Sequence, residues 1–189
     1  MFKRCLITVF LCLNLSGCIG AAVVAGGAAA SVILSDERPL TTIAADQTIE
    51  HLSAKALSQN ETLKQTNISL TSLNRRVLLT GQVSSTSQRV LAYRLVKSVP
   101  KVIQVYNQIV VTPQPSVLST SQDAWLTSKV RFALLNTRTL HSNQIRITTE
   151  NGVVYLMGIL TPTQQKLATN TVRKVSGVHK VVTLFETIH

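Results

Sequence analysis

"IRITTENGVVYLMGIL", residues Ile145–Leu160, carries the signature of a β-hairpin. Asn151 and Gly152 both tolerate positive φ, which a two-residue turn between antiparallel strands requires, and the segments "IRI" and "VVYLMG" on either side are β-branched and apolar. The stretch decides the fold because it occurs twice. At an offset of 77 residues, "VYLMGIL" from Val154 falls on "VLLTGQV" from Val77 and brings Gly158 onto Gly81. Working outward, the same offset sets "LTSKVRFALLNT" from Leu126 on "IEHLSAKALSQN" from Ile49, with Ala133 on Ala56 and Leu134 on Leu57. After a one-residue shift, "KLATNTVRKVSGVHKV" from Lys166 lies on "VLAYRLVKSVPKVIQV" from Val90. Self-similarity at this spacing means one supersecondary unit used twice. The copies occupy residues 46–112 and 122–189, and the proline- and serine-containing "TPQPSVLSTSQ" supplies a linker over 113–121.

Within each copy the apolar periods give helix, strand, strand, helix, strand. The first helix shows apolar residues three and four apart, with Asp46 and Asp123 at the N-cap positions. The first copy has Asn74-Arg75 where the second has Asn151-Gly152. The second helix of the second copy is expected near Gln165–Val175, ending at Ser176-Gly177 with glycine as its C-cap, before the strand "VHKVVTLFETI". The fold class is therefore α+β: two tandem αββαβ modules, each a small three-stranded sheet with two helices. Gly81 and Gly158 fall at strand ends with no phosphate-loop pattern, so a bulge or a close backbone approach accounts for them. Modules of about 65 residues bury a modest core, and packing between them is expected to contribute.

The N-terminus has the basic start (Lys3, Arg4) and short apolar stretch (Cys5–Leu15) of a secretory signal, too short to span a bilayer. Leu15-Ser16-Gly17-Cys18 resembles the bacterial lipobox. The resemblance implies removal of residues 1–17, diacylglycerol on the Cys18 thiol and an N-acyl chain on its amine; the alternative is an uncleaved anchor continuing through Ile19–Leu34. Cleavage would take Cys5 and Cys12 with it, which leaves no partner for a disulfide. Residues 18–45 then form a lipidated flexible tether. Ile19-Gly20 follows the cysteine in place of an inner-membrane aspartate, which implies an outer-membrane anchor on the periplasmic face, and two or three acyl chains hold firmly. Loss of Lys3 and Arg4 leaves 17 basic residues against 8 acidic ones, a net charge of +9. Such a balance calls for an anionic partner. An exported chain meets phospholipid first, and with few aromatic residues for base stacking nucleic acid is not expected.

The αββαβ order, with "VYLMG" and "VSGVHKV" in place, resembles the BON domain. With its lipobox, two modules and linker, the whole chain is similar to the dual-BON outer-membrane lipoproteins, and "DAWLTSKVRFALL" with "TTENGVVYLMG" is similar to the division- and stress-associated subfamily. The first module departs from the pattern, having Pro100-Lys101 where glycine and valine are usual. The resemblance implies no enzymatic activity, no cofactor beyond the acyl chains on Cys18, binding to anionic phosphatidylglycerol-like membrane, and support of outer-membrane integrity by a monomer.

An enzyme would need a nucleophile with a base, paired carboxylates or clustered metal ligands. The histidines His51, His141, His179 and His189 lie in different elements without metal-ligand spacing, and the acids are scattered. The informative feature is the first helix of the second module. At about 100° per residue from Trp125, Leu126, Val130, Ala133 and Leu134 fall between about 80° and 180°, while Trp125, Phe132 and Leu135 fall between about −80° and 0°. The helix has two apolar faces. In the first module Ile49, Leu52 and Ala56 form one stripe, and Gln47, His51, Lys55 and Ser58 face water. A second stripe of Trp125, Ser128, Phe132 and Leu135 bordered by Lys129 and Arg131 suits an interfacial helix. The alternative is that this stripe packs against the first module. A rival use is as an adaptor, offering an edge strand or the Trp125 face to an outer-membrane assembly or division protein.

Overall fold

The computed structural model describes residues 38–112, 120–140 and 144–188; Cys18, the signal segment and most of the 113–121 linker lie outside them. Arg38–His189 forms one compact unit. Its first module runs α1 (Leu40–Ser58), a 3₁₀ turn (Glu61–Leu63), β1 (Asn67–Leu73), β2 (Arg76–Val83), α2 (Thr86–Lys97), β3 (Gln104–Asn107) and β4 (Val110–Val111). The second runs α3 (Thr120–Leu135), β5 (Ile145–Glu150), β6 (Val153–Leu160), α4 (Pro162–Arg173) and β7 (Lys180–Thr187). This is αββαβ twice, with the last strand of the first copy interrupted.

Both hairpins close on two residues with positive φ: Asn74 at 50° and Arg75 at 61°, Asn151 at 51° and Gly152 at 73°. These values fit the left-handed two-residue turn whose twist matches the strands. β1 and β5 run antiparallel to β2 and β6, with Leu73 opposite Arg76 and Glu150 opposite Val153. The third strand returns parallel, pairing Val77 with Val105 and Val154 with Val181. Gly81 and Gly158 lie inside their strands and are there for close approach: a Cβ on Gly81 would stand 1.9 Å from the Asn67 carbonyl oxygen, and one on Gly158 2.9 Å from that of Gln144.

The central strands are buried on both faces. Val77, Leu79 and Val83 pack under α1 and α2 with Ile49, Leu57 and Ala92, and Val154, Leu156 and Leu160 pack under α3 and α4 with Val130, Leu134 and Ala168. The alternate residues point the other way. Leu73, Leu78 and Tyr106 of one sheet meet Val153, Tyr155 and Met157 of the other, forming a third apolar cluster. The order of layers is thus helices, sheet, sheet, helices. At the edge of the inter-sheet contact the Arg76 guanidinium lies 3.0 Å from a Glu186 carboxylate oxygen, and the Asn74 amide donates to the same carboxylate at 2.9 and 3.1 Å.

Several expectations are corrected. α1 and α3 begin at Leu40 and Thr120, so Asp46 and Asp123 are not N-caps, and part of the expected tether and linker is helical. Ile43 and Ala45 are buried, which explains why α1 extends toward the N-terminus. α4 starts at Pro162, where a fixed φ suits the first helical position, behind a Thr161–Gln164 capping box. It ends at Arg173 with Lys174 as C-cap, and Gly177 takes φ 99° in the turn beyond. Lys101 holds the equivalent place in the first module at φ 71°, so it is the glycine position that Lys101 fills, while Val102 keeps the valine. Leu52 is 36 % exposed; the buried stripe of α1 is Ile49, Ser53 and Leu57.

Candidate functional site

α3 is held by one face. Leu126, Val130 and Leu134 are buried in the second core, and each contributes about 1.5–3 kcal/mol of transfer free energy. Asp123, in the first turn of the helix, fixes its end to the hairpin: its carboxylate accepts from the Asn151 amide at 2.7 Å and the Gly152 amide at 2.9 Å. Asp46 does the same in the first module for Asn74 and Arg75, at 2.9 and 2.7 Å. It also accepts from the Ser72 hydroxyl and pairs with Arg38. This helix-to-turn clamp is a shared element of the repeat, and it holds Arg75 at a positive φ that glycine would adopt more readily.

The opposite face of α3 is bare. Trp125, Phe132 and Leu135 are 68 %, 69 % and 61 % exposed, the largest exposures among the described large apolar residues apart from Leu40. Ser128 and Arg131 are exposed between them, and the Ser128 hydroxyl donates back to the Ala124 carbonyl. All six residues expected at the site stand on one helix. Lys129 is partly withdrawn, its ammonium donating to the Ser176 carbonyl in the loop after α4. The first module has Thr48, His51, Lys55 and Ser58 at the positions of Trp125, Ser128, Phe132 and Leu135, all exposed. Contact between modules is made by the sheets, which excludes the alternative that the Trp125 stripe packs against the first module.

Beside Trp125 the surface dips into an open groove of about 420 Å³ whose walls include Leu126, Lys129, Gly152, Gly177 and His179. Sequence reasoning missed His179, since nothing local connects it with Trp125. The signal was the Asn151-Gly152 turn, because the His179 amide donates to the Gly152 carbonyl at 2.9 Å and its ring lies over that glycine. Burial and the nearby Asp123 carboxylate raise the pKa of Glu150, and burial raises that of Tyr155. Among the described residues no group of three or more His, Cys, Asp or Glu side chains could hold a metal ion, and no helix is long and apolar enough to cross a membrane.

Two repeats of an αββαβ unit, clamped alike and set sheet to sheet, define a tandem-module protein with one differentiated helix. The chain belongs to the BON-domain family: the BON domain profile matches residues 45–113 and 122–188. Among curated proteins it is 34 % identical over 185 residues to outer membrane lipoprotein DolP of Haemophilus influenzae, covering 97 % of this chain and 95 % of that protein. It is also 32 % identical over 148 residues to a 21 kDa hemolysin of Actinobacillus pleuropneumoniae, covering 78 % of this chain and 76 % of the other.

Proposed function

We propose that this protein is a non-enzymatic lipoprotein, anchored through acyl chains on Cys18 at the periplasmic face of the outer membrane, whose second module docks on anionic phospholipid and thereby supports membrane integrity. The observation that carries the reading is the exposed Trp125, Ser128, Phe132 and Leu135 stripe, on a helix whose other face is fully used by the core. A tryptophan settles at headgroup depth, Phe132 and Leu135 reach a little deeper, and Arg131 meets lipid phosphate. Each cation near an anionic surface adds roughly 1 kcal/mol. The similarity to an outer membrane lipoprotein along nearly the whole chain supports the anchoring.

The test is vesicle flotation and melting temperature on one sample of Trp125→Glu. Binding to phosphatidylglycerol vesicles should fall at least tenfold while the melting temperature stays put, because the altered side chain touches no core. A lowered melting temperature with lipid binding intact would overturn the proposal.

A further inference from the structure

Exposed apolar side chains gather at a second place, on the first module. Val90, Tyr93, Arg94 and Lys97 are three or four residues apart on α2 and share its outer face. Ile103 and Val111, on the edge strand beside it, look the same way: Ile103 stands two residues before Val105, which packs on the core, and Val111 pairs with the core residue Val83. The Lys97 ammonium donates to the Ile103 carbonyl at 2.8 Å, which ties the end of α2 to this edge. Val90, Tyr93, Ile103 and Val111 are between 37 % and 47 % exposed. The repeat supplies an internal control. At the places of these four residues the second module has Lys166, Thr169, His179 and Thr187, so the same surface there is polar.

The charge of the face is of one sign. From Leu63 to Gln122 the sequence has no aspartate or glutamate. Arg94, Lys97 and the nearby Lys101 are exposed, and among the described residues none of them pairs with a carboxylate. A ligand that fits must bring carboxylates of its own together with some apolar surface.

We propose that this face is a docking surface for peptidoglycan, with the carboxylates of its stem peptides held by Arg94, Lys97 and Lys101, and sugar or alanyl groups packed on Tyr93 and its apolar neighbours. A polymer fits better than a protein. Four apolar side chains, each less than half exposed, fall short of the roughly 800 Å² per partner that a stable protein interface buries. They suit weak contacts repeated along a polymer by many anchored copies. The neighbouring edge is interrupted where the Asn107 side chain accepts from the Ile109 amide at 3.3 Å, so an added partner strand finds no continuous ladder. Finally, α2 lies in the helix layer across two sheets from α3, so a second module resting on the membrane through α3 turns α2 toward the wall. That orientation rests on the membrane reading above; the charge and the apolar face do not.

A chain beginning at Ile19 keeps the whole Arg38–His189 unit. It should co-sediment with purified, protease-treated sacculi, and binding should fall with added salt. Arg94→Glu and Tyr93→Ala, both exposed changes, should each weaken binding at least threefold with the melting temperature unchanged. Lys166→Glu makes the same change of charge on the matching face of α4 and should weaken it less than twofold. Equal losses for Arg94→Glu and Lys166→Glu would reduce the effect to net charge and overturn the docking face. Binding confined to sacculi that keep their covalently attached protein would assign the face to a protein partner, and retention unchanged after amidation of the wall's carboxylates would remove the ligand; either overturns the proposal. Vesicle binding is measured on the same samples. Its absence in the unaltered chain overturns the membrane reading alone, whereas intact vesicle binding without co-sedimentation overturns the wall-binding face alone.

Discussion

At the scale of single residues, the two aspartates carry more of the fold than their places in a helix suggest. A carboxylate near a helix start reads as a cap, because local sequence shows only the neighbouring helix. The groups that Asp123 binds lie 28 and 29 residues further on, and no local pattern states that distance. Asp123→Ala leaves two turn amides without their acceptor, at roughly 1–3 kcal/mol for each unsatisfied buried group. Urea denaturation should show the protein destabilised by about 2–6 kcal/mol, with Asp123→Asn costing less because one carbonyl acceptor remains. Glu150, beside that clamp, is expected to act in the opposite direction. Burial and Asp123 raise its folded pKa, so above the ordinary glutamate range the folded state holds a proton that the unfolded chain has released. Stability then falls as pH rises from that range through the raised value, and the loss persists at neutral pH. Glu150→Gln should therefore raise the melting temperature at pH 7, and the gain should vanish on acidification below the ordinary glutamate pKa.

At the scale of the element, α3 is the helix with one apolar face buried and another bare, and both were legible in the sequence. A period near 3.6 separates Leu126, Val130 and Leu134 from Trp125, Phe132 and Leu135 without any knowledge of what covers either stripe. Truncation should expose the difference. Leu134→Ala empties a fully buried position and should cost about 2–5 kcal/mol, as should Leu57→Ala at the equivalent place in α1. Phe132→Ala should change stability by less than about 0.5 kcal/mol while weakening vesicle binding. Calorimetry and flotation on the same variants check both. The strands were less legible. The run Val153 to Met157 is apolar at every position, which marks a strand buried on both sides but does not say that its second face meets another sheet. Arg76, Thr80 and Gln82 in β2 concealed the matching face of the first module, since polar residues at alternate positions ordinarily mean solvent. Here Thr80 and Gln82 are buried at the sheet contact, 1 % and 5 % exposed.

At the scale of the whole molecule, the repeat packs against itself sheet to sheet. The hydroxyls of Thr71 and Thr148, equivalent residues 77 apart, lie 3.3 Å from each other, so equivalent positions of the two copies meet in this contact. With the sheets joined, the Trp125 face of α3 and the outer face of α1 lie on opposite sides of four layers. A second module resting on lipid through α3 therefore holds the first module away from that surface. On the proposed membrane reading, the order of layers gives a reason for an apolar stripe on only one of two similar helices: the outer face of α1 would point away from a bilayer that α3 rests on, and it is polar. If the proposed acyl anchor is on Cys18, Cys18→Ser should release the protein from the outer-membrane fraction or leave its precursor uncut. The sheet contact can be tested in turn with Met157→Asp, which puts a carboxylate at an interface position that is 2 % exposed and outside the helix-facing core of its own module. Each module retains its own core, so the variant should fold but lose the coupling between modules. Calorimetry should show one transition in the unaltered protein and two in Met157→Asp, with small-angle scattering reporting a larger radius of gyration. Vesicle binding should persist in that variant, because α3 and its clamp to the Asn151-Gly152 turn belong wholly to the second module. A single unshifted transition in Met157→Asp would mean that the sheet contact does not bind the modules together, and loss of vesicle binding with the second module still folded would mean that docking needs both.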